Sequence, residues 1–207
     1  AVKRLAARRS FDLLSRGYDG AARGRRTDGW RTSSTSADAE VGTAGQILAD
    51  RSRDLTRNNP HAARAVSVLV NNIIGSGIIP RASTDDAKFN ERVNDLWDKW
   101  SLKCDAAGMS DFTAMQTLAC REMIESGEVL IRRRWRREAD GLPVPLQLEL
   151  LECDFLDRFK TQELQTGGRI LYGIEFDPIG RRAGYWLHAQ HPGDLSISFT
   201  KRQTSAF

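Results

Sequence analysis

The side chains best suited to chemistry lie late in the chain. Glu149, Glu152, Asp154 and Asp157 surround Cys153, and His188 and His191 follow at HxxH spacing. Carboxylates that converge with a histidine or a defined loop can make a metal or acid–base centre. Here they occupy the end of a strand-like run, where alternation sends successive side chains to opposite faces, so they read as a solvated strand end. Pro192 follows His191 and no third ligand stands at zinc spacing, so neither a metal nor a cofactor is expected. Gly75-Ser76-Gly77 follows a helical run and lacks a Lys-Ser/Thr sequel, which excludes a P-loop. Only three histidines exist and His61 opens a helix, so no Ser-His-Asp or Cys-His arrangement can be read. No catalytic residue is assigned, and the chain does not read as an enzyme.

The densest charge run is Arg132, Arg133, Arg134, Arg136 and Arg137 around Trp135. Arginines on a strand can neutralise phosphates without reading sequence. They can equally form an exposed strand that discourages edge pairing, or meet carboxylates of a neighbouring subunit. Both readings stay open for Arg132, Arg134 and Arg136. The 207 residues are 40% hydrophobic and 28% charged with a net charge of +4, which suits one or two ordinary domains. Residues 1–36 hold nine Lys or Arg against three Asp, a net +6 that leaves −2 for the rest. Cys104, Cys120 and Cys153 form no CxxC pair, which fits a reducing compartment. No apolar run approaches the ~20 residues that a membrane span needs, so no membrane partner is expected.

The elements that position these residues follow from period and punctuation. Residues 1–36 read as a basic flexible arm, with a short helix up to Ser15 and then a glycine- and serine-rich link. Within it, Arg23, Arg25 and Arg26 are candidate DNA or subunit contacts. Trp30 is a candidate anchor on an adjacent subunit or a shell protein, because an aromatic in a basic arm suits docking. The other four tryptophans are expected in the core. Residues 37–127 read as helical. A first helix spans Ala37 to Asn58, with Ile47, Leu48 and Leu55 as its apolar stripe and Arg51, Arg53, Asp54 and Arg57 as exposed candidate contacts. Asn59 caps a second helix that has Pro60 at its first position, runs to about Ile74 and is expected to be buried on most sides. A third helix covers Asp85 to Trp100, and a fourth starts at Ser110 or Asp111 and stops at Gly127. Residues 128–207 then switch to period two. Strands are predicted over Glu128–Arg136, Leu146–Leu151, Arg169–Phe176 and Ala183–His188, with turns at Asp140-Gly141 and Asp177–Gly180. Helices followed by mostly antiparallel strands predict an α+β fold.

The order of several short motifs resembles one known family. Tyr18-Asp19-Gly20-Ala21 with Trp30, the Arg51–Pro80 run with its Asn58-Asn59-Pro60 break, and Trp97–Trp100 come first. Glu125–Val129, Leu148–Asp154, Gly173–Glu175 and Tyr185–Leu187 complete the series. Together they resemble the N-terminal part of tailed-bacteriophage portal proteins of the lambda type. The resemblance implies a structural role: copies of one chain close a ring, conventionally a dodecamer, at a capsid vertex through which double-stranded DNA enters and leaves. Implied partners are the chain itself, DNA, terminase, capsid protein and head–tail joining proteins. The implied location is the virion, with assembly in the host cytoplasm. Portal proteins of this type are much longer, so the chain is expected to be their wing-side N-terminal portion, without the stem, clip and crown, as a fragment or as an interrupted prophage gene product. A stand-alone basic nucleic-acid-binding module is the alternative reading.

Overall fold

The computed structural model describes residues 24–25, 28–30 and 34–194. The expected helix before Ser15, together with Arg23 and Arg26, lies outside the described residues. The chain divides into two units, residues 1–37 and 38–207. In the first, Arg25 and Trp30 are both exposed, Trp30 at 67%.

The second unit begins with four helices whose ends are written in their capping residues. Helix α1 covers Ala37–Asn58, with Asp38 and Glu40 in its first turn and Arg57 in its last, each suiting the helix dipole. The Asn59 side chain accepts hydrogen bonds from the backbone N–H of His61 at 2.9 Å and Ala62 at 3.3 Å, opening α2 over Pro60–Ile74. Gly75 ends α2. The backbone of Ile78 then pairs with both ends of the Gln116 amide, at 2.9 and 2.8 Å, which satisfies an extended segment that has no strand partner. Asp86 caps α3 (Ala87–Ser101), and Asp111 caps α4 (Phe112–Ser126), which stops at Gly127 in the left-handed conformation.

Two hydrophobic clusters form, one where α3 and α4 meet β2 and one within the strand region. In the first, Trp100, Cys104 and Met115 are buried against Trp97, Phe112 and Leu148. Trp97 meets Phe112 edge-on with ring centres 5.0 Å apart, and the Trp100 indole N–H donates to the Leu146 carbonyl at 2.7 Å. Strands β1 (Leu130–Trp135) and β2 (Leu146–Leu151) form an antiparallel ribbon. The outer edge of β2 pairs with the Cys104–Ala106 segment, which Asp105 holds by accepting from the N–H groups of Ala107, Met109 and Ser110. The second cluster is Leu151, Leu156 and Leu187 with Leu130, Phe155 and Ile174. A four-stranded antiparallel sheet follows: β3 (Gln162–Glu163), β4 (Arg169–Leu171), β5 (Ile174–Phe176) and β6 (Arg182–Tyr185). The fold is therefore α+β, as expected. No helix of the described residues is long and apolar enough to cross a membrane.

Four local expectations are corrected. The strand predicted over Arg169–Phe176 is a hairpin, because Tyr172 and Gly173 both take positive φ (49° and 81°) and turn the chain after Leu171. β3 was not anticipated. Helix α2 buries only a narrow stripe at Val66 and Val70, and leaves Leu69 and Ile73 exposed. Helix α1 turns small and polar residues inward, Ala49 and Thr56 among them, and points Ile47, Leu48 and Leu55 outward. The predicted stripe of α1 is thus real as a stripe but faces away from this chain's own core.

Candidate functional site

Several of the residues singled out from the sequence gather in two separate places. The first is a junction built on Arg53. Its side chain is 19% exposed and reaches across from α1 to two other elements. It donates to Ser126 Oγ at 2.8 Å and Glu122 Oε1 at 3.0 Å on α4, and to Asp154 Oδ2 at 2.5 Å just after β2. Gln46 donates to the other oxygen of Asp154 at 2.8 Å. Asp154 is 8% exposed. Burial alone would raise its pKa, but the hydrogen bonds from Arg53 and Gln46 prevail and hold it down at about 2. The same pairing with Asp154, working against desolvation, raises Arg53 well above its ordinary value. A planar fork that serves three acceptors on two elements is a task for arginine, not lysine.

This arrangement changes the reading of the acidic strand end. Glu152 remains solvated, but Asp154 is buried and ion-paired, and Glu149 accepts from Arg132 at 2.6 Å. Glu152, Asp154 and His191 do bring three ligand-type atoms within 4.8 Å of one another. Arg53 already stands at 2.5 Å from Asp154 and 4.0 Å from Glu152, so the positive charge that a metal would supply is provided by the protein, and the residues do not fit a metal ion. Cys153 is buried beside them. Desolvation, with Asp154 adding to it, pushes its thiol up to about 11, so it stays protonated near neutrality and is a poor nucleophile. The neighbouring cleft of about 350 Å³ is lined by Arg53, Arg57 and Arg121 opposite Glu122, Glu125 and Glu152, balanced charges with no preference for either sign.

The second place is the β1–β2 ribbon. Residues opposite one another in an antiparallel pair share a face. The register therefore puts Arg132 with Glu149 and Arg134 with Gln147 on one face, and Ile131, Arg133 and Trp135 with Leu150, Leu148 and Leu146 on the other. Arg132 and Arg134 both approach Glu149, and Arg136 donates to Gln147 Oε1 at 2.8 Å. The three arginines assigned as contacts are thus bonded within the chain. Trp135 was expected in the core but is 71% exposed, because the aromatic cluster of α3 and α4 covers only the β2 half of that face. Arg133 stacks near the Trp135 ring at 5.9 Å and makes no ion pair among the described residues. Strand alternation already placed Arg133 beside Trp135; which face would meet solvent depended on where α3 and α4 lie. Arg51, Asp54 and Arg57 are exposed on α1, and the structure does not bring them together with β1.

Two comparisons bear on the whole chain. Residues 23–206 match the family described as phage portal protein, lambda family. The "Probable portal protein" of Halomonas phage phiHAP-1 is 28% identical over 199 aligned residues, covering 90% of this chain and 38% of the relative. The chain thus spans well under half the length of that relative.

Proposed function

This chain belongs to the lambda family of phage portal proteins, and from that premise we propose that it supplies the N-terminal portion of a subunit that closes a homo-oligomeric ring at the capsid vertex. Double-stranded DNA passes through such a ring. Terminase, capsid protein and head–tail joining proteins dock on it in the virion and during assembly in the host. The role is geometric: the chain presents surfaces to neighbours and performs no reaction. The observation that carries this reading is the family match along 23–206. A physical observation supports it. Two helices and a strand present apolar residues outward, including Leu48, Leu55, Leu69, Ile73 and Trp135, more than a small monomer usually exposes in continuous stripes.

Within that reading, the basic arm is a tether. Trp30 docks on an adjacent subunit or on the shell, and Arg25 with its neighbours Arg23 and Arg26 meets DNA or acidic protein surface. Arg51, Asp54 and Arg57 are exposed contacts of α1. Arg53, Arg132, Arg134 and Arg136 act inside the subunit and hold those surfaces in place. A stand-alone nucleic-acid module draws less support, since the strand arginines already have partners in Glu149 and Gln147. The test is electron microscopy and sedimentation of the full-length protein. Annular particles are expected, and a strictly monomeric protein would refute the reading.

A further inference from the structure

Two unpartnered faces of the second unit differ in kind, and each has what the other lacks. On α1, Val41, Leu48 and Leu55 recur every seven residues and are all exposed, forming one straight apolar stripe. Asp54 borders that stripe. Its carboxylate accepts from Asn58 at 2.6 Å and makes no ion pair among the described residues. On β1, Ile131 and Trp135 form a shelf that runs on, in register, from Leu150 and Leu146 at the margin of the aromatic core. Arg133 sits between them, 5.9 Å from the Trp135 ring centre and without an ion pair among the described residues.

We propose that these are the two halves of one contact between copies: the α1 stripe of one subunit lies across the β1 shelf of the next, with Asp54 opposite Arg133. This rests on the ring reading above and specifies its surfaces. Different patches on the two sides make the contact heterologous, the type that can close into a ring by repeated rotation. Exposed tryptophan and arginine side by side are the residue types that dominate interface energetics. An arginine desolvated in a contact needs a carboxylate, and this selects the helix. The exposed face of α2, with Leu69 and Ile73, carries no acidic residue. On α3, Asp95 and Asp98 are already paired with Lys99 and Arg81. Glu91 of α3 has no ion pair among the described residues, but it stands about 160° round the helix from Phe89 and faces away from the exposed Phe89–Leu96 line. Asp54 stands next to Leu55 and one heptad from Ile47, so α1 offers the acid beside an exposed apolar stripe.

Mixed-copy cross-linking of this chain in a Cys120→Ser background tests the assignment. Copies carrying Leu48→Cys are mixed with copies carrying Trp135→Cys and treated with a short bismaleimide. A covalent dimer is expected from the mixture, and an equivalent mixture with Leu69→Cys in place of Leu48→Cys should give at least tenfold less. Adding Arg133→Glu to the Trp135→Cys copies should abolish the dimer, and adding Asp54→Arg to the Leu48→Cys copies as well should restore it. Sedimentation of the unsubstituted chain separates two kinds of failure. Association without the Leu48–Trp135 dimer, or with equal yield from Leu69→Cys, overturns this pairing and leaves the ring reading standing. A chain that neither associates nor cross-links overturns this pairing, and the ring reading is then decided on the full-length protein.

Discussion

Arg53 ties α1 to α4 and to the segment after β2 through Ser126, Glu122 and Asp154. Replacing it with Ala would leave Asp154 buried and uncompensated and would free Glu122, so a loss of about 2 to 3 kcal/mol is expected in urea unfolding. Arg53→Lys should recover less than half, since an ammonium cannot serve Ser126, Glu122 and Asp154 with the same planar fork. The pH dependence of the junction follows from Asp154. In the fold it takes its proton at about 2, against an ordinary value of 3.8. A depressed carboxylate stabilises above its unfolded value and loses that contribution as pH falls through the folded one, so the unfolding free energy should decline between about pH 4 and pH 2. Asp154→Asn should lower stability at neutral pH and flatten that acid limb. An unchanged slope in acid titration of the variant would assign the limb to other groups.

Among the elements, what could be read in the sequence was what local chemistry decides. Asn59-Pro60, Asp86, Asp111 and Gly127 each satisfy or end a helix by their own hydrogen bonds or backbone angles, and the helices start and stop there. Whatever depended on distant packing stayed hidden. Arg53 reads as one more exposed charge because its partners Glu122 and Asp154 lie 69 and 101 residues away. Alternation placed Trp135 beside Arg133, but the strand alone carries no information on which face the helices cover. The β4–β5 turn escaped because Tyr172 is a good strand former and only Gly173 announces positive φ. The link after α2 is a place to test such packing. Gly77 has φ 104°, and a Cβ there would stand 2.6 Å from Thr113 Oγ1. Gly77→Ala should therefore cost about 2 kcal/mol, backbone strain and collision together. Gly108→Ala, also at positive φ but facing open space, should cost about 1 kcal/mol. Equal losses in thermal melts would mean that the contact with Thr113 yields freely.

Across the whole molecule, charge is segregated: a net +6 in residues 1–36 against −2 in the remainder. A basic N-terminal segment with an exposed Trp30, beside a remainder of mildly acidic balance, is suited to meeting a polyanion or an acidic protein surface. Among the described residues, the body's two cores, around Trp100 and around Leu151, are made of residues 97–187. Deleting residues 1–36 is therefore expected to leave the melting temperature of the isolated chain nearly unchanged, while weakening association between copies and attachment to capsid protein. The same deletion should reduce the salt dependence of any DNA affinity, since each lost phosphate contact lowers the slope by about one. Calorimetry and sedimentation of the truncated chain decide between a tether and a structural segment. A melting temperature that falls sharply for the monomer would make the arm part of the fold. A stable monomer with lost association would place its work on the neighbouring subunit, where Trp30 can bury its ring against a partner.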